Sequence, residues 1–570
     1  MIKSKSATGT STKTATNKPL LTSVIINQPT QPKMSRCLLS VAIASSLLLV
    51  GCGDDDDERF TSSDTTVETI GSFSVAQIDK GFGLTNTGTP AAKCGIKIEK
   101  VNYPTVGAAG ERTNATAALM LPSGDSVDCK GDRPILLYAH GTTTDKGYDF
   151  SQVGNPKNPA VSEATLIAAN FAAQGYIVVA PNYAGYDDSD LDYHPYLVAE
   201  QQSTDMVDAL DGARDIIRQQ KLVNDTDYTN IADSGALFVS GYSQGGHVAM
   251  ATARLLEKQN KPVTAIAPSS GPYALAAFGD AIFAGNVNIG ATRFSPLLAE
   301  GMQKKYKNIY NSPSDIFSAQ YADTQVPSMK TFGELVSEGK LPDNALFQSK
   351  PTNNAILDQL PASNLPFAFL GFDDDKYLIK TDFRAAYVAD ALQNRDGLTS
   401  TTPTGMPAAN PQNNLRKALK DNDLRGYIPK MPTLLCGGNQ DPTVYYDINT
   451  GSMTAIIQQA STAPAANLNV TVLDVDTRGN RGAVTSIGSA MSNPWMATTV
   501  LDKVQGGFSA NLTAVQNKAI AAAQAAGVKD EATLAQAAGA AVLANYHGGL
   551  VSTACTQATR EFFNQEFKAT

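Results

Sequence analysis

The apolar positions change rhythm along the chain, and each change predicts an element. Two apolar runs, Ile96 to Tyr103 and Ala115 to Leu121, flank Gly107-Ala108-Ala109-Gly110, a pattern that predicts an antiparallel hairpin. Beyond it, short unbroken apolar runs alternate with helical spacing. Pro134 to Ala139, Tyr176 to Ala180, Ala236 to Ser240 and Val263 to Ala267 read as buried strands. Glu163 to Gln174, stopped by Gly175, Gln202 to Gln220 and His247 to Glu257 read as helices; the second places Met206, Ala209, Leu210, Ala213 and Ile217 on one face. Strands alternating with helices imply a mostly parallel sheet covered on both faces.

Between Tyr273 and Lys430 the strand rhythm disappears, and amphipathic pieces such as Phe294 to Tyr306 and Asp382 to Leu392 are mixed with Pro and Asn breaks. The sheet resumes at Pro432 to Cys436 and at Leu468 to Val475. Ala-rich helices broken at Gly527 follow, and Leu550 to Phe567 forms a last helix. The expected division is an α/β core over 91–273 and 431–570, a helical cap over 274–430, and a second helical insertion over 479–543.

The N-terminus follows another logic. Residues 1–33 are rich in Ser, Thr, Lys and Asn without a period, so they offer no face to bury and are expected to be disordered. Met34 is a second candidate start. Lys33 and Arg36 then precede an apolar stretch from Cys37 to Val50, the basic flank and core length of a secretory signal over 34–51. The stretch is shorter than the roughly 20 apolar residues that span a bilayer. It ends Leu49-Val50-Gly51-Cys52, which resembles the lipobox of bacterial lipoproteins, where cleavage precedes a cysteine that then carries the lipid. That resemblance makes Cys52 the membrane anchor. The acidic run Asp54 to Glu58 lacks the spaced glycine and terminal acid of a calcium loop and opens a tether over 52–90. By resemblance to lipoprotein sorting, Gly53 after the lipidated cysteine favours the outer membrane of a bacterial envelope.

Composition narrows the classes. Across 570 residues, 42% hydrophobic and 17% charged side chains describe a folded globular chain, and a net charge of −9 leaves a phosphate-tracking role without a footprint. Nucleic acid is not an expected partner. Cys94, Cys129, Cys436 and Cys555 remain after Cys52, an even number in a disulfide-permissive compartment that allows three pairings. Cys94 with Cys129 would close the ends of the hairpin region, and Cys436 with Cys555 would pin a strand end to the last helix. No CxxC, HExxH or phosphate loop suggests a metal or an organic cofactor.

The candidate chemistry lies at Gly241-Tyr242-Ser243-Gln244-Gly245. Alone, a GxSxG match is weak. Between a buried strand and a helix it gains meaning, because so sharp a turn tolerates only small residues around the serine and lifts its hydroxyl above the sheet. The helix N-terminus then offers the Gln244 N–H to a developing oxyanion. A serine needs a base, and the chain has only four histidines, His140, His194, His247 and His547. With the order nucleophile, acid, histidine, only His547 lies beyond the last strand, in the loop-like Tyr546-His547-Gly548-Gly549. His247, four residues after Ser243, reads as a structural histidine, and His194 in His194-Pro195-Tyr196-Leu197 as a loop organiser. His140 ends a strand at His140-Gly141-Thr142, where the Thr142 N–H, with Gly141 as the alternative, is the second oxyanion donor. Asp441 is the first acid past the strand at Pro432 to Cys436; Asp474 and Asp476 are fallbacks, and Asp447 belongs to a following helix.

These residues resemble the α/β-hydrolase superfamily of serine esterases and lipases. Within it, Pro181 to Tyr186, His194 to Leu197, Gly241 to Gly246 and Ser269 to Tyr273 resemble the secretory lipase family. The resemblance implies an α/β-hydrolase fold with a helical lid, and the family triad carries over onto Ser243, Asp441 and His547. The stretch between Asp441 and His547 is longer than the family pattern. The expected activity is hydrolysis of a small-molecule or lipid ester without a cofactor. A peptidase or acyltransferase on the same triad, and a silent binding lipoprotein, are the alternatives.

Overall fold

The computed structural model describes residues 64–82, 88–400, 404–463, 467–480, 482, 484–492 and 499–568. The expected disordered extension over 1–33, the signal segment over 34–51 and Cys52 lie outside the described residues. Among the described residues, ten strands form the central sheet: β1 (Thr66–Phe73), β2 (Gly95–Val106), β3 (Arg112–Ser123), β4 (Gly131–Ala139), β5 (Ile177–Pro181), β6 (Ile231–Tyr242), β7 (Ala265–Ser269), β10 (Thr433–Gly437), β11 (Asn469–Asp474) and β12 (Val484–Gly488). Two short strands, β8 (Phe347–Gln348) and β9 (Phe372–Asp373), form a separate parallel pair between the helices of the cap region.

The sheet order is β1-β2-β3-β5-β4-β6-β7-β10-β11-β12. From β5 through β11 every neighbour is parallel, while both edges are antiparallel. This is the mixed sheet flanked by helices of the α/β-hydrolase fold. The central strands are continuous apolar runs because both faces are covered: Ile135, Leu136, Leu137, Val239 and Ile266 have no exposed surface. One cover is the helix Ala199–Leu222, which buries Met206, Ala209, Leu210, Ala213 and Ile217. Gly175, at φ 100°, closes the turn into β5, where a left-handed conformation requires it.

Between β7 and β10 the chain forms a helical layer over the C-terminal ends of the strands. Its helices include Leu275–Ala284, Ala291–Tyr306, Thr381–Gln393 and Asn414–Asp421. Buried guanidiniums tie it together. Arg416 pairs with Asp280 at 2.7 Å and Asp390 at 2.8 Å, and Arg425 pairs with Asp396 and Asp423, each at 2.8 Å. Removing one partner of such a pair strands a buried charge, at a cost of about 3–5 kcal/mol.

Two expectations need correction. The tether read over 52–90 contains β1 and the helix Val75–Gly81. Edge strand β1 is half exposed, with Val67, Ile70 and Phe73 leaning on the core, so its apolar signal is thin. Ser74 and Gln77 form a capping box at the helix start, a signal that was legible. The segment read as wholly helical over 479–543 opens with β12, an antiparallel edge strand whose Val-Thr-Ser-Ile-Gly pattern is short and polar. The helices Thr499–Ala525 and Glu531–Asn545 follow it. Among the described residues no helix is long and apolar enough to cross a membrane.

Both disulfides have the pairing that chain position suggested. Cys94–Cys129 joins the start of β2 to the turn before β4, and Cys436–Cys555 joins β10 to the last helix, Ser552–Lys568.

Candidate active site

Ser243 stands between β6 and the helix Gln244–Lys258 with φ 60° and ψ −121°, a conformation that a non-glycine residue holds only under strain. The neighbouring glycines make the turn possible. A Cβ on Gly245 would land on the carbonyl of Ala139, and one on Gly241 on the carbonyl of Gly245. As the first residue of its helix, Gln244 has no carbonyl four residues back to take its N–H.

The structure brings Ser243, His547 and Asp441 together. His547 Nε2 lies 2.8 Å from Ser243 Oγ, and His547 Nδ1 lies 2.7 Å from Asp441 Oδ2. Asp441 is buried, and its other oxygen accepts from the N–H groups of Thr443 at 2.9 Å and Val444 at 3.1 Å, so the carboxylate cannot swivel freely. His547 lies in the π-helical turn Tyr546–Val551 rather than in the loop expected from Gly548-Gly549. The Tyr242 hydroxyl donates to its carbonyl at 2.5 Å.

The fallback acids do other work. Asp474 accepts from Asn439, and Asp476 accepts from the Tyr546 hydroxyl at 2.6 Å and pairs with Arg478. Together they brace the Asp441 loop and the His547 turn from behind. Asp447 opens the π-helical turn Asp447–Gly451.

The other histidines are buried and structural. His140 is stacked between Tyr148 and Tyr183 with ring centroids 4.4 and 4.2 Å away, and burial pushes its pKa down to about 4. His247 donates to the Asn422 carbonyl at 2.8 Å; burial likewise lowers it to about 4. Burial lowers His194 to about 3, and its Nε2 lies 2.7 Å from the Gln244 side-chain amide. The neutral ring therefore accepts there and donates from Nδ1 to the Ala184 carbonyl, at 3.0 Å.

The strand end at His140-Gly141-Thr142 passes over the serine: a Cβ on Gly141 would stand 3.8 Å from that of Ser243. The Gly141 N–H is taken by Glu163, and the Thr142 hydroxyl shares a hydrogen bond with Tyr196 at 2.9 Å. Two cavities meet at Ser243. One is apolar, lined by Leu275, Phe278, Ile282, Leu298, Leu415 and Leu419. The other is larger, opens to solvent and is lined by Thr142, Asp145, Glu163, Arg293 and His547. Nothing in the sequence marks Glu163, Tyr242 or Tyr546 as site residues: a lone acid in a helical first turn carries no motif, and the two tyrosines are merely neighbours of the catalytic candidates.

The fold and this cluster define a hydrolase of the general esterase and lipase class. Among solved structures the chain is similar to the rice cell wall degrading esterase LipA from Xanthomonas oryzae, with 26% identity over 72% of this chain and 89% of that one, at a TM-score of 0.54. A candidate hydrolase of Legionella pneumophila aligns at 20% identity over 69% and 88% of the two chains, with a TM-score of 0.47. Candida antarctica lipase A aligns at 13% identity over 72% and 77%, with a TM-score of 0.39. No family model and no curated protein matches the sequence.

Proposed function

We propose that the protein is a lipid-anchored serine carboxylic ester hydrolase. Ser243 attacks the ester carbonyl while His547 takes its proton through Nε2. Asp441 keeps the Nδ1 proton in place and stabilises the imidazolium. The N–H groups of Gln244 and Thr142 hold the oxyanion. His547 returns the proton to the departing alcohol, and water repeats the cycle on the acyl-enzyme. The single observation that carries this reading is the unbroken relay of 2.8 Å and 2.7 Å from hydroxyl to imidazole to carboxylate. The one co-reactant is water: ester and water give the alcohol, released when the acyl-enzyme forms, and the acid, released when water cleaves it.

The apolar cavity suits the acyl part of an ester, and the open, polar one suits its alcohol part. The motif resemblance to secretory lipases supports the same chemistry. The anchor rests on the sequence around Cys52, and two disulfides fit an oxidising envelope compartment, with the outer membrane as the proposed site.

The test is labelling and turnover together. The purified protein should hydrolyse p-nitrophenyl esters and gain one fluorophosphonate adduct by intact mass, while Ser243→Ala does neither. Equal labelling of both proteins, or turnover of chromogenic peptides but not esters, would overturn the reading.

A further inference from the structure

Glu163 lies in the first turn of the helix Val161–Asn170, and its carboxylate lines the open cavity that also holds Ser243 and His547. Oε1 accepts from the Tyr138 hydroxyl at 2.8 Å and the Gly141 N–H at 3.1 Å. Oε2 accepts from the Tyr148 hydroxyl at 3.1 Å and the same N–H at 3.3 Å. One acid thus gathers three donors, one of them the backbone group next to the proposed oxyanion donor. We infer that Glu163 is a positioning residue: by holding the Gly141 N–H it orients the strand end so that the Thr142 N–H is left to the oxyanion, and its negative charge supports the imidazolium of His547. The inference rests on the Ser243, His547 and Asp441 reading.

The electrostatic surroundings fix what an experiment can see. Glu163 interacts with Tyr138 from β4, Tyr148 from the loop after it, Tyr183 after β5, Tyr242 at the end of β6, and His547. His547 itself is faced by Asp441, Tyr242 and Glu163, and Asp145 and Arg293 line the same cavity. Burial pushes the four phenols well above their ordinary range, so they stay protonated during an esterase assay. Burial raises the Glu163 carboxyl above its ordinary range, and its three donors and the imidazolium offset only part of that rise. Removing its charge withdraws electrostatic support from the imidazolium that forms as His547 takes the serine proton.

Two variants separate the clamp from the charge. Glu163→Gln keeps an acceptor for Gly141 and loses the charge. It should keep kcat within a few-fold while the acid limb of kcat/KM moves down by about half a pH unit or more. Glu163→Ala loses both, and kcat should fall about 10- to 100-fold with KM within about twofold, because the oxyanion donor is no longer aligned. An acid limb unmoved in Glu163→Gln overturns the charge role, and unchanged kcat in a folded Glu163→Ala overturns the clamp. Should the alanine variant not fold, Tyr148→Phe, which removes one of the clamp's donors, should lower kcat measurably with KM unchanged; wild-type kcat there overturns the clamp. Ser243→Ala run beside them separates the two levels: turnover in that variant would sink the triad reading itself, whereas its inactivity with wild-type behaviour at position 163 would sink only this inference.

Discussion

Asp441→Asn tests the triad most sharply, because the change is almost isosteric and the surroundings dictate how the amide sits. In the native protein Oδ1 accepts from Thr443 and Val444, and Oδ2 faces His547 Nδ1 at 2.7 Å. Asparagine must keep its carbonyl oxygen toward the two backbone donors, which turns its NH₂ toward Nδ1. Two donors cannot face each other, so the imidazole proton moves to Nε2. That nitrogen, 2.8 Å from Ser243 Oγ, then donates to the hydroxyl instead of taking its proton. Loss of the correct tautomer costs about 10³- to 10⁴-fold in kcat, or about 4–5.5 kcal/mol of barrier. Asp441 lines neither cavity that meets at Ser243, so KM should hardly change. Steady-state hydrolysis of p-nitrophenyl butyrate measures both constants, with Asp474→Asn as a control expected to stay within about tenfold of wild type. An Asp441→Asn enzyme within tenfold of wild type, or a larger loss at Asp474, would refute the assignment.

Sequence separations of 119 and 35 residues give loop-entropy contributions of about 5 kcal/mol for Cys436–Cys555 and about 4 kcal/mol for Cys94–Cys129. Replacing the first pair by serines should lower both the denaturant midpoint and kcat, because it frees the approaches to Asp441 and His547, whereas replacing the second should lower the midpoint alone; the opposite pattern would contradict this. His140, His194 and His247 are buried with pKa values pushed down to about 4, 3 and 4, against about 6.5 unfolded, so the unfolded chain binds their protons first. Stability is then intact above pH 6.5 and lost as pH falls toward 4, by roughly 3 kcal/mol per histidine. Denaturant titrations across that range should show His247→Gln flattening the loss by about one proton. Gly245→Ala should destabilise by about 3 kcal/mol or more, since its methyl group meets backbone rather than a movable side chain; a thermal midpoint within a degree or two of wild type would count against the close approach.

The buried strands were legible because a parallel sheet covered on both faces leaves unbroken apolar runs, and helix extents differ only at their ends, as in Ala199–Leu222 against the expected Gln202 to Gln220. Ser243 was legible from the strand, small-residue turn and helix together, and His547 from there being so few histidines. What the sequence hid is polar and non-local. Glu163 sits where any acid favours a helix N-terminus, so nothing marks it until Gly141 arrives from 22 residues away. Edge strands β1 and β12 carry too few apolar side chains to announce themselves. The double glycine after His547 reads as a chain break, yet the turn continues directly into the last helix.

How His547 finds its place is a problem that sheet topology alone does not solve. Ser243 and Asp441 follow β6 and β10, which flank β7, so the parallel sheet sets their spacing. His547 follows no strand. Two helices precede it, Thr499–Ala525 and Glu531–Asn545, and they bury only Val504, Phe508, Leu512, Ala538 and Val542, too little apolar surface to aim an imidazole. The aim comes from fasteners on either side of the residue. Before it, Tyr546 bonds Asp476 and accepts from Gln440 N–H at 3.1 Å; at it, Tyr242 holds the carbonyl; after it, Cys555 is covalently joined to Cys436. Each fastener ends on a strand, on the turn just past β11 or on the Asp441 loop. The imidazole of His547 is thereby referenced to the same frame as Ser243 and Asp441.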